Sequence, residues 1–150
     1  MAYAAPMSYL PDPDRQPQFY SDVPAKRLVA WIADTVLILA LCVLMVLGTA
    51  FVGLLIWPLL YLGIGFAYRA LTLATGSATW GMRLAGIELR RHDGGRFDGM
   101  HAVMHTAAYS FCLALPVLQV ISIALMLTTP RGQGLPDFFL GSVALNRRAA

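Results

Sequence analysis

From Leu28 to Tyr68 the chain runs through 41 positions with one charged residue, Asp34. A bilayer core of about 30 Å is crossed by about 20 helical residues, so this tract amounts to two spans and must fold back on itself. It is far too long for a buried helix of a soluble protein. The charged fraction of 13% points the same way, since soluble domains carry about 25%. The expectation is an all-α membrane protein over residues 25–146, with two spanning helices, a third apolar stretch and a small β ribbon on the cytoplasmic side.

The first span is expected at about residues 25–47, opened by Pro24, which suits a first helical turn. Gly48, Thr49 and Gly53 supply the turn, and a second span follows over about 54–74, with Pro58 near its start or kinking it. The connection carries no basic residue, whereas Arg15, Lys26 and Arg27 flank the first span. The positive-inside rule then makes the amino terminus cytoplasmic. The same rule assigns the polar segment 76–99, with Arg83, Arg90, Arg91 and Arg96, to that side. Within it, Thr79 to Leu84 reads as a short interfacial helix, Ile87 to Arg90 as a half-buried strand and His92 to Gly95 as a tight turn.

The third stretch, residues 102–129, fits one tilted span or a helical hairpin broken at Pro116. A single crossing would place Arg131, Arg147 and Arg148 outside, against the charge rule. Leu135 to Leu145 is too short to cross and is expected at the surface, ending in a strand at Ser142 to Asn146. Residues 1–24, with Pro6, Pro11, Pro13, Pro17 and Pro24, read as a flexible cytoplasmic tail rather than a secretory signal, and 147–150 as a basic tail.

Several functions are disfavoured. The net charge of +3 comes from basic residues beside apolar spans, which lipid headgroups and topology account for, so nucleic-acid binding is not expected. Cys42 and Cys112 have no metal or redox spacing and read as packing thiols. His101 and His105 share a helix face at i, i+4, but no third ligand accompanies them, so neither a metal nor a cofactor is implied. No nucleophile triad or phosphate loop is present, and no enzyme activity is expected. Trp31, Trp57, Trp80, Tyr61 and Tyr68 read as interfacial or packing aromatics.

Asp34 is the most informative residue, because a carboxylate at the centre of a span costs on the order of 2.5 to 3.5 kcal/mol on insertion scales and needs compensation. Arg27 lies seven positions earlier on the same helix face, about 10.5 Å away along the axis. That gap calls for a third group to bridge or replace the contact. Arg69, near the end of the second span, reads as an anchor reaching the headgroups.

These features together resemble the RDD family of small bacterial membrane proteins, named for one arginine and two aspartates. Arg27 and Asp34 match the first pair, in the run Lys26-Arg27-Leu28-Val29-Ala30-Trp31-Ile32-Ala33-Asp34. Asp137 matches the second aspartate: Arg131, Gly134, Leu135, Asp137 and Gly141 are similar to the family's R-x-x-G-L-x-D-x-x-x-G. Thr79, Gly81, Arg83 and Gly86 resemble its G-Q-T-x-G-K-R-L-x-G-I segment, with Ala78 and Met82 where relatives carry Gln and Lys. A basic family position early in the third stretch corresponds to His105, a polar or proton-binding candidate. The resemblance implies that Arg27, Asp34 and Asp137 meet on one side of the membrane, which favours the bent hairpin, a cytoplasmic carboxyl terminus and a ribbon joining 87–91 to 142–146.

Transport has been suggested for the family, and the resemblance implies no more. The leading expectation is a non-catalytic accessory or structural subunit, packed in the bilayer against a larger complex or its own copies. Small residues at Ala30, Ala33, Gly63, Gly65 and Ala67 would allow close helix contact. The alternative is an oligomeric ion- or proton-coupled transporter of a small solute, using Asp34.

Overall fold

The computed structural model describes residues 9–147. Pro6 and Arg148, with the rest of the expected basic tail beyond Arg147, lie outside them. Within this range are helix α1 (Val23–Gly48), a 3-10 turn (Val52–Ile56), α2 (Trp57–Gly76), α3 (Trp80–Ala85), β1 (Ile87–Arg90), α4 (Gly99–Ala114), α5 (Pro116–Thr128), α6 (Leu135–Leu140) and β2 (Val143–Asn146). Proline falls in the first turn of both long helices, where its missing N–H is no loss.

Two segments, residues 17–48 and 52–76, are helical, long and apolar enough to cross a membrane. The third stretch resolves into the hairpin: the helix is bent by 115° between α4 and α5, at Leu115. Leu115 is extended, at φ −114° and ψ 99°, as the residue before a proline prefers. Pro116 then starts α5. At 1.5 Å per residue the arms are about 24 and 20 Å long, so neither spans a 30 Å core alone.

The return of α5 brings β2 back to where α1 begins. Strands β1 and β2 pair antiparallel with Ile87 opposite Asn146 and Arg90 opposite Val143, which matches the expected ribbon. Lys26 Nζ donates to Asn146 Oδ1 at 2.7 Å, and Asn146 Nδ2 donates to the carbonyls of Gln18 and Ser21. Both ends of the described chain therefore share one face.

The loose-tail expectation does not hold for residues 9–22. Leu10 and Tyr20 are buried against Val143 and Leu145, and the Tyr20 hydroxyl donates to the Pro11 carbonyl at 2.8 Å. The β ribbon offers an apolar surface that the proline-rich composition did not reveal. On the lipid side, by contrast, Leu55, Leu59, Leu71, Val117 and Leu127 are exposed, as expected where the solvent is hydrocarbon.

Candidate functional site

Asp34 is buried midway along α1, and three short hydrogen bonds meet its carboxylate. Oδ1 accepts from the Tyr68 hydroxyl at 2.6 Å and from the Gly81 amide at 2.8 Å, while Oδ2 accepts from the Thr79 hydroxyl at 2.6 Å. Two of these donors come from the start of α3, whose first amides lack intrahelical acceptors. Thr79 also accepts from the Met82 amide, and the Tyr68 hydroxyl from that of Trp80. One carboxylate thus ties α1 to α2 and α3. Gly81 is required here because a Cβ would run into the Ala30 carbonyl and the Asp34 carboxylate.

The cation facing Asp34 is Arg69, with Nη1 3.8 Å from Oδ2. Arg69 is not a headgroup anchor. Its side chain is only 7% exposed, its guanidinium stacks 3.9 Å from the centre of the Tyr109 ring, and its Nε has no partner. The Tyr109 hydroxyl in turn accepts from Trp31 Nε1 at 2.9 Å.

Asp137 forms a second centre at the start of α6. Its Oδ2 accepts from Arg27 Nη1 at 2.6 Å and the Gly134 amide at 3.0 Å; its Oδ1 contacts His105 Nε2 at 3.0 Å and accepts from the Ser142 hydroxyl at 3.2 Å. Arg27 also donates to the Gly132 carbonyl at 3.0 Å. Burial by itself would raise the Asp137 carboxyl, but the Arg27 charge, with hydrogen bonds from His105 and Arg27, holds it well below the usual carboxylate range. A Cβ at Gly134 would meet Ser122 and Met126 of α5, and the Ser122 hydroxyl accepts from the Leu135 amide at 3.0 Å.

Both centres open on one cavity of about 530 Å³ between α1, α4, α5 and α6, lined by Arg27, Asp34, Arg69, His105 and Asp137. Most of its remaining wall is apolar, including Leu28, Trp31, Leu113, Ile123 and Met126, with Gln119 and Ser122 as polar exceptions. His101 does not join it with His105: His101 Nδ1 pairs with Asp98 near the surface, and the Phe97 ring packs against both imidazoles.

The RDD family model matches residues 23–141. This chain belongs to the RDD family. It is a membrane protein with helices able to span a bilayer. Comparison with curated proteins and with solved structures gave no match.

The residues that name the RDD family meet differently from the expected triad. Arg27 bonds to Asp137, whereas Asp34 is served by Arg69 and α3, so the two aspartates belong to separate centres around one cavity. Among the other family positions, Thr79 and Gly81 bond Asp34. Gly86 ends α3 at φ +74° and accepts from the Arg147 amide, a backbone conformation that favours glycine. Arg83 folds back on Trp80 and the Ala78 carbonyl. Arg131 is half-buried in the turn before α6 and joins neither centre.

Sequence reasoning missed Arg69, Tyr68 and Tyr109. A signal existed for the first. A buried acid on one span calls for a cation at similar depth on the returning span, and Arg69 is the first charge after Asp34.

Proposed function

We propose that this RDD-family protein is a non-catalytic carrier of the bacterial cytoplasmic membrane that takes one small solute into the cavity between its two buried charge centres. The observation that carries this reading is the convergence of five ionisable side chains, from α1, α2, α4 and α6, on one cavity of about 530 Å³. Ionisable groups within a membrane domain are rare and costly, and they mark substrate pathways. The volume falls within the range of about 300 to 1,000 Å³ common for small-molecule sites. All five ionisable groups come from a single chain.

Orientation follows from charge. Lys26 and Arg147 bond at the face shared by the two ends of the described residues, Arg83, Arg90, Arg91 and Arg96 lie in the segment joined to it through β1, and residues 48–56 carry no charge. The positive-inside rule places that face in the cytoplasm.

An accessory role, in a larger complex or with further copies, draws support from the outer face of α2. Gly63 and Ala67 are exposed one turn apart, and nothing lies within 4 Å of the space a Cβ at Gly63 would fill. Proteoliposomes tested with labelled organic acids, amines and neutral solutes separate the two readings. The carrier reading expects flux of one class and its loss in Leu113→Trp, which fills the cavity, at equal reconstituted protein. Absence of flux for every class, together with elution in a larger complex from mild detergent, would establish the accessory role instead.

A further inference from the structure

The two carboxylates and the two guanidiniums at the cavity are unequally satisfied, and the imbalance identifies the kind of solute. Asp137 is saturated, with two bonds at each oxygen from Arg27, Gly134, His105 and Ser142. Asp34 has three strong donors across its two oxygens. Neither offers a cation the several free oxygens that coordination requires. Spare capacity lies on the donor side: among the described residues Arg27 bonds through Nη1 alone, and Arg69 makes no hydrogen bond.

A guanidinium has five N–H donors in a planar fork. That of Arg69 makes no hydrogen bond among the described residues: Nε is unpartnered, and the nearest carboxylate oxygen is 3.8 Å from Nη1, beyond hydrogen-bond reach. The side chain is more than nine-tenths buried and lines both the main cavity and a smaller one behind it. Buried polar groups in folded proteins almost always have partners, so an idle buried fork calls for an acceptor. Stacking on Tyr109 occupies one face of the guanidinium and leaves its edge donors free.

We infer that Arg69 is the headgroup-recognition residue of a site for amphipathic monocarboxylates, whose apolar body lies along Leu28, Trp31, Leu113, Ile123 and Met126. This rests on the carrier reading of the same cavity. A carboxylate is the planar anion that pairs with a guanidinium through two parallel bonds. It brings one negative charge to a site where Asp34 is already near, whereas a phosphate dianion would bring two. The largely apolar wall supplies the affinity for the body, and the single fork fixes the head.

The full chain in zwitterionic nanodiscs, with Trp57→Phe and Trp80→Phe leaving Trp31 as the sole tryptophan, reports binding by Trp31 fluorescence. The probes are octanoate, octanol and octylammonium. Octanoate is expected to bind at least tenfold more tightly than the other two, and Arg69→Gln to erase that preference while octanol binding stays unchanged. Equal or tighter binding of octanol or octylammonium to the unsubstituted fork would overturn the carboxylate assignment yet leave the cavity reading standing. Failure of all three to bind would overturn the inference of an amphipathic solute, while the carrier reading stands or falls with the flux assay. Loss of octanoate binding when phosphatidylglycerol is added to the nanodisc would assign the fork to a lipid phosphate and overturn the proposal. The head-group series on the unsubstituted Arg69 decides the matter even if Arg69→Gln does not fold. In that event a ¹³C shift of the octanoate carboxyl on binding replaces the variant, and its absence counts against the inference.

Discussion

The Arg27–Asp137 and Arg69–Asp34 pairs are both buried in one membrane domain, yet they are built for different ends. In the first, the guanidinium bonds to the carboxylate at 2.6 Å and to a backbone carbonyl, and the carboxylate is bonded on every side. In the second, the charges stand 3.8 Å apart and the carboxylate draws its hydrogen bonds from neutral groups. A buried pair gains enough to offset desolvation only when its geometry is good and its remaining donors and acceptors are filled. Arg27–Asp137 meets that requirement at the carboxylate, each of whose oxygens takes two bonds, and acts as a lock between α1, α4 and α6. Arg69 does not, and it is the charge left available.

The sharpest way to break this comparison is to remove Asp137. Asp137→Ala leaves His105 without its acceptor and the Arg27 charge without its counter-ion, and is expected to destabilise the fold by about 3 to 5 kcal/mol, read as lost thermal stability in detergent. Replacing both partners, Arg27→Met with Asp137→Leu, is expected to recover most of that loss, since a well-packed apolar pair is often neutral in such a place. A double variant as unstable as the single would show that Asp137 acts through His105, Ser142 and Gly134 rather than through the ion pair.

Next in size is Gly81→Ala, which forces α3 away from the Ala30 carbonyl and is expected to cost about 1 to 3 kcal/mol. Tyr68→Phe removes one donor to Asp34 and one acceptor for α3, with an expected cost on the order of 1 to 3 kcal/mol. Arg69→Met, by contrast, breaks no hydrogen bond and is expected to lower thermal stability less than Arg27→Met does. Melting of the two variants side by side tests this, and the reverse order would sink the distinction between lock and free fork.

The smallest effect belongs to the exposed start of α4. The His101 amide, and then its ring, hold Asp98 down at about 2, against 3.8 for a free aspartate. Because the folded value is the lower one, the cap's contribution is full above about pH 4 and fades as pH falls toward 2. Hydrogen exchange at the first turn of α4 is expected to rise over that window, and Asp98→Ala to remove the pH dependence. Asp98→Asn, which still caps, is expected to keep protection at neutral pH.

How far the site could be read from the sequence depended on whether its bonds were local. Thr79, Gly81 and Gly86 sit in one short segment whose cap and turn chemistry is legible residue by residue, and Asp34 stood out because one charge in a long apolar run has no other reading. Arg69 was not legible in the same way. Its distance from the end of α2 suits a headgroup anchor, and only the packing of α2 on α4, which covers it with Tyr109, keeps it inside. Residues 9–22 were misjudged for a related reason, since the surface that holds Leu10 and Tyr20 is made by a strand more than 120 positions away.

The sequence by itself determined that this chain lives in a membrane, that two helices are long enough to cross it and that Asp34 needs compensation; the resemblance to the family added Asp137. Hydropathy, helix length and proline placement act within a few turns of chain, so they leave their mark in order along it. Which cation serves which carboxylate, and that both centres face one cavity, was decided only by the return of α5 and α6 to the start of α1. A charge pair acts over a few ångströms of space, and distance in space is set by the fold.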